Sequence, residues 1–161
     1  METWLAKSIL ATVCVVPAFI AIPLLKFRYG IDPLVFLVWY FGATALSIAV
    51  FWGFSGRAAE LVPPVPLLIV IVLIGTVFGA LANGALFQAI GLAPNPGLPP
   101  VIYATSSMIV FVLAAALSGS FPALFKPVSM ELSRIVGIVL ILGGLYLLAG
   151  GKFGTLFRSG G

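Results

Sequence analysis

Histidine is absent from this 161-residue chain, and cysteine occurs once, as Cys14. Without imidazole there are no His metal ligands, no His-based catalytic triad and no His proton relay. A lone cysteine inside an apolar run forms no internal disulfide, so it leaves the redox compartment unread. Charge is almost as scarce: four acidic and eight basic residues make up 7% of the chain, against about 25% in a soluble domain. Hydrophobic residues reach 62%. A water-soluble fold of this length has no interior large enough for so much apolar surface, and the solvent this implies is lipid. The net charge of +4 is spread in ones and twos at the ends of apolar runs. Basic residues there anchor spans and set orientation. No basic stripe interleaved with aromatics exists, so nucleic acid is set aside as a partner and the bilayer takes its place.

Charged residues, and the uncharged Pro94-Asn95-Pro96-Gly97 stretch between the third and fourth, divide the chain into five apolar runs, predicted as membrane spans at about 8–25, 34–54, 67–90, 99–117 and 132–149. Each is close to the roughly 20 residues that cross a bilayer core. The expected fold class is therefore an all-α integral membrane protein, a single five-helix bundle in one domain. The first run lies between Lys7 and Lys26 and has the layout of a signal peptide. No A-x-A-like site precedes Lys26 and further spans follow, so a retained helix is predicted, with Pro17 and Pro23 kinking it. Asp32-Pro33 reads as an N-cap followed by a proline at the first helical position. Pro94-Asn95-Pro96-Gly97 is a turn signal. Ser129 is placed to cap the last helix, with Glu131 in the first turn suiting its dipole.

Five spans put the chain ends on opposite sides. Lys7, Arg57, Lys126 and Arg134 then face Lys26, Arg28, Lys152 and Arg158, a tie of four against four. The lysine and arginine bias that fixes topology is missing. One consequence is insertion in both orientations and pairing with an inverted copy, as transporters build substrate sites between inverted repeats.

No Asp or Glu falls within a predicted span, and Arg134, in the first turn of the last, is the one basic residue that does. A carboxylate at mid-membrane costs at least about 2.5–3.5 kcal/mol and marks proton coupling or cation binding; none is here. No base, nucleophile pair or metal cluster stands there either, so neither enzyme chemistry, metal nor cofactor is expected. Uncharged polar residues remain. Gly75, Gly79 and Asn83 follow one another at i+4 spacing, a small-residue face along which helices approach. Asn83 serves equally as packing glue or as a cavity wall. Tyr40, Thr44 and Ser47 form a hydroxyl stripe beside Trp39, and Tyr103, Ser106 and Ser107 share a face of the fourth helix. The serine hydroxyls also have helix carbonyls within reach.

The stretch Ala93-Pro94-Asn95-Pro96-Gly97-Leu98 precedes a serine-bearing helix, and Ser133-Arg134 opens a run in which Gly137, Gly143 and Gly144 sit among Ile, Val and Leu. In this order of features the chain resembles one five-helix half of an EamA-like drug/metabolite transporter, whose larger members carry two inverted halves. Gly137 and Gly144 resemble the face by which small multidrug resistance relatives pair through their last helix. Three features depart from the pattern. Leu117-Ser118-Gly119-Ser120 stands where a Gly-Glu pair often closes the fourth helix, Trp39-Tyr40 stands where a basic residue is common, and no glutamate lies near Cys14. The resemblance implies a multi-pass inner-membrane transporter subunit working by alternating access, as a homodimer (antiparallel in one form) or with a sister half. Its solute would be small and neutral or amphipathic, in a cavity lined by Trp39, Tyr40, Asn83, Tyr103 and Ser106, with Pro17, Gly75 and Gly79 permitting bends. A non-transporting structural subunit is the alternative, and a flippase for lipid-linked sugars a third.

Overall fold

The computed structural model describes residues 3–125, 131–148 and 150, and all regular structure among them is helical. Five helices follow in order: α1 Thr3–Tyr29, α2 Pro33–Phe54, α3 Val65–Leu92, α4 Leu98–Leu117 and α5 Leu132–Leu148. A single 3₁₀ turn, Ala58–Leu61, lies between α2 and α3. The first four are long and apolar enough to cross a membrane. At 17 residues, α5 rises about 26 Å, a little short of the roughly 30 Å hydrocarbon core. Ala149 and the segment from Lys126 to Met130, with the expected Ser129 cap, lie outside the described residues, as do Lys152 and Arg158.

Several boundaries differ from those expected, for physical reasons. The apolar run 8–25 understates α1, which takes in Lys7, Lys26 and Arg28. Apolar runs mark hydrocarbon, whereas a helix continues into the interface, where long basic side chains reach water. α1 ends at Gly30, whose φ of +70° suits glycine; its N–H closes on the Lys26 carbonyl at 3.0 Å. The Asp32 cap is present as expected, its Oδ1 accepting from the Leu34 N–H at 2.7 Å with Pro33 at the first helical position. Asp32→Ala should therefore lower stability by about 1 kcal/mol, measurable as a lower SDS midpoint in mixed micelles; no change would mean that water replaces the cap.

Two spans are not uniform. In α3, Gly75–Gly79 forms a π turn, in which the Ala80 N–H reaches back five residues to the Gly75 carbonyl. α4 is interrupted at Ala104, where the Thr105 hydroxyl donates to the Ile102 carbonyl at 2.7 Å. A hydroxyl competing for a helix carbonyl is a recognised cause of such a break.

The chain divides into two compact units, Met1–Pro96 and Gly97–Gly161. In the first, Ala80–Leu92 of α3 packs against both α1 and α2. Its core is Ile22, Leu86, Phe87 and Ile90, covered by Phe19, Phe36, Leu37 and Tyr40. These positions lie towards the C-terminal ends of α1 and α3 and the N-terminal end of α2, so the three helices converge at one end. Every residue of Val65–Ile74, by contrast, is exposed. Such an apolar surface is stable only where lipid or another helix meets it. In the second unit, Leu98–Tyr103 of α4 packs against α5, and no described residue there is fully buried.

Candidate functional site

The converging end of the first unit is closed by glycines. A Cβ at Gly84 would meet Leu34 Cδ2 at 3.6 Å, and one at Gly91 would fall 2.7 Å from Pro33 Cγ and 3.3 Å from Lys26 Cδ. Only glycine lets α2 and the end of α1 come so near α3 at position 91. The Lys26 ammonium continues past this contact and donates to the Gly91 carbonyl at 2.7 Å. That carbonyl belongs to the last turn of α3, where the helix has spare acceptors and the negative end of its dipole.

Beyond the core, where α2 and α3 part, lies a groove of about 370 Å³ lined by Leu37, Val38, Phe41, Gly75, Gly79, Ala80 and Asn83. The π turn forms its α3 wall. Gly75 and Gly79 thus share a face with Asn83, as their spacing predicts, and that face is open within this unit. A Cβ at Gly75 would meet nothing within 4 Å, and one at Gly79 only the Ile74 carbonyl at 3.9 Å. An aromatic cluster flanks the groove: Phe87 lies 6.0 Å from Phe36, 6.2 Å from Tyr40 and 6.0 Å from Phe41 between ring centres. Tyr40 also stacks on Phe36 at 5.7 Å.

Of the residues expected to bind solute, Asn83 lines the groove and Tyr40 stands in the aromatic wall behind it. Asn83 Nδ2 donates to the Gly79 carbonyl at 2.8 Å, so its amide is partly engaged by its own helix. Trp39 points away, 75% exposed. The hydroxyl stripe of α2 is partly spent on its own backbone, Thr44 donating to the Tyr40 carbonyl at 2.8 Å. Tyr103 and Ser106 belong to the second unit and are exposed there. The described residues of that unit form apolar grooves of their own. One, of about 380 Å³, runs past Ser107, Arg134 and Gly137, and another, of about 500 Å³, past Thr105, Val112 and Leu142. Gly137 and Gly144 each leave open the space a Cβ would fill.

Sequence reasoning missed the Lys26–Gly91 bond, the π turn and the heptad-spaced pair Gly84 and Gly91. Only that glycine pair leaves a signal in the sequence, and it lies on the same helix as the more conspicuous Gly75 and Gly79.

A polar clasp sits at the other end of α2. The Arg57 guanidinium lies 4.6 Å from the Trp52 ring centre, and its Nε donates to Glu60 Oε1 at 2.8 Å. The Arg57 hydrogen bond holds the Glu60 carboxyl below its ordinary 4.5, against a small opposing effect of desolvation and with help from Trp52; the same bond raises Arg57. A lowered carboxyl pKa adds stability above the unfolded value and loses it as pH falls through the folded value. With Trp4 and Trp39 replaced by Phe, any acid transition of Trp52 fluorescence should therefore have its midpoint below 4.5. A midpoint at or above that pH would break the assignment.

Four helices long and apolar enough to cross a membrane and a core of few residues mark a membrane-embedded protein, helical in all regular structure of its described residues. No family model, curated protein or solved structure matches the chain.

Proposed function

We propose that the chain is a transporter subunit of the inner membrane, one half of a drug/metabolite-type carrier that moves a small neutral or amphipathic organic solute by alternating access and pairs with an inverted copy or a sister half. The observation that carries this reading is the groove between α2 and α3. It combines apolar and aromatic walls, one amide and a π turn, a local helix geometry frequent at functional sites. The absence of charge from its lining suits an uncharged solute body, and the wide turn at Gly75–Gly79 gives α3 a natural place to bend.

A second reading, a non-transporting structural subunit, draws on the Asn83–Gly79 bond, because an amide satisfied by its own helix suits a dry bundle as well. Water access separates the two. In a Cys14→Ser background in lipid nanodiscs, Ala80→Cys should react with a membrane-impermeant maleimide, and adding Gly79→Leu should suppress labelling about tenfold by filling the groove while helicity is kept. No labelling of Ala80→Cys favours the structural subunit. Cross-linking that traps antiparallel pairs would add support for inverted halves.

A further inference from the structure

The groove between α2 and α3 carries one polar side chain among its described lining residues. Leu37, Val38, Phe41 and Ala80 give it apolar walls, Gly75 and Gly79 leave space on its α3 side, and Asn83 supplies an amide. The Phe41 ring is braced by Tyr40, edge-on at 5.5 Å between centres, and by Phe87 at 6.0 Å, so it offers a fixed aromatic surface. Asn83 lies about 7 Å along the axis from the middle of the 28-residue α3, within the half-thickness of about 15 Å of a bilayer core.

The two ends of that amide are used unequally. Nδ2 donates to the Gly79 carbonyl at 2.8 Å. A carbonyl only accepts, so this contact fixes which end is nitrogen and which is oxygen. Oδ1 accepts from no described residue. No buried side-chain nitrogen or oxygen lacks a partner among the described residues, so Oδ1 lies on the open side of this half-buried residue. Lipid tails carry no donor, and in the bilayer core this oxygen is met only by water or by a donor that enters the groove. A solute that displaces the water has to replace its hydrogen bond. Nδ2 keeps a second hydrogen, but a solute that only accepts would engage it and leave Oδ1 covered and unpaired, the costlier arrangement. Charged groups fit poorly: a cation meets no carboxylate in the lining and an anion faces no basic side chain there.

We infer that the groove selects uncharged solutes that carry a hydrogen-bond donor (an alcohol, a phenol or an amide N–H), with Asn83 Oδ1 as the acceptor and Phe41, Leu37, Val38 and Ala80 against the apolar body. This rests on the groove being a solute site, as proposed above. Ethers, esters and tertiary amides of the same shape are rejected, because they take water from Oδ1 and return no donor. The bond to Gly79 makes the selection one-sided, since it holds the amide in one rotamer and keeps oxygen and nitrogen from exchanging places.

The test uses the full chain in lipid nanodiscs and two photoreactive probes, a trifluoromethyl-diazirinyl phenol and its methyl ether, which differ in a single O–H donor. At equal concentration in the bilayer, the phenol should label residues 37–41 and 75–83 about tenfold more than the ether, and excess unlabelled alkylphenol should suppress that labelling. Asn83→Leu, with helicity kept, should bring the phenol down to the level of the ether. Equal labelling of the groove by both probes in the parent protein overturns donor selection while leaving the solute site standing, and that comparison needs no variant. A phenol preference that survives in Asn83→Leu overturns the role given to Oδ1. If neither probe labels the groove although Ala80→Cys still reacts with the impermeant maleimide, the groove is open and the solute class is wrong. If the maleimide fails as well, the open groove is the failed premise and donor selection falls with it.

Discussion

Gly91→Ala should destabilise the protein, although the same change elsewhere in these helices should not. The new Cβ would sit 2.7 Å from Pro33 Cγ, a carbon in a closed ring at the start of α2 that cannot swing aside. Lys26 Cδ, at 3.3 Å, can move, at the expense of the bond to the Gly91 carbonyl. Overpacking of this kind costs about 1–3 kcal/mol. The opposing gain in helix propensity is at most about 1 kcal/mol in a helix interior and smaller near a helix end. The net expectation is a loss of about 1–2 kcal/mol, read as a lower SDS midpoint in mixed micelles. Gly42 in α2 and Gly137 in α5 supply the contrast: a Cβ at either meets nothing within 4 Å, and Gly→Ala there should be neutral or stabilising by up to about 1 kcal/mol. If all three variants shift the same way, close approach at Gly91 is not what decides.

That contrast also shows what spacing in a sequence can convey. A 3.6-residue periodicity predicts that Gly75, Gly79 and Asn83 share a face, and all three line one groove, with the π turn at Gly75–Gly79 setting their actual spacing. Periodicity does not say what meets the face. In the first unit the close approach is made one layer further on, by Gly84 and Gly91, because that is where Leu34 and Pro33 pass. The Asp32-Pro33 cap was legible because its physics is local: a side-chain oxygen, a spare N–H two residues on and a ring with the right φ. Lys26 was legible only as a charge at the end of an apolar run, since its partner lies 65 residues away. The π turn was invisible for another reason. Gly-Thr-Val-Phe-Gly suits an α-helix equally well, and the extra residue per turn is chosen by backbone hydrogen bonding with no compositional trace. Trp39 and Tyr40, adjacent in sequence, part company because neighbours on a helix point about 100° apart: Tyr40 turns to Phe87 and Trp39 to the outside.

Phe87→Ala should be the most damaging single truncation, and its magnitude would reveal how this fold is held together. Phe87 is 3% exposed, belongs to the core with Ile22, Leu86 and Ile90, and is the ring against which Phe36, Tyr40 and Phe41 all rest. In a soluble core the same change costs about 3–5 kcal/mol, of which part is the free energy of transferring the ring out of water. Here the unfolded helices remain in lipid, so the transfer part falls away and lost packing is left. At about 24 cal/mol per Å³ of cavity, an unrelaxed void of about 100 Å³ costs about 2.4 kcal/mol. Lipid or neighbouring rings entering the space would reduce that figure. A loss near 2 kcal/mol in a reversible SDS titration, with Phe87→Leu losing about half as much, is therefore the expected result. A loss at or above 4 kcal/mol would mean that the ring is shielded from water rather than from lipid. The converging end would then face an aqueous interior, and lipid-phase packing would not be what holds the three helices together there.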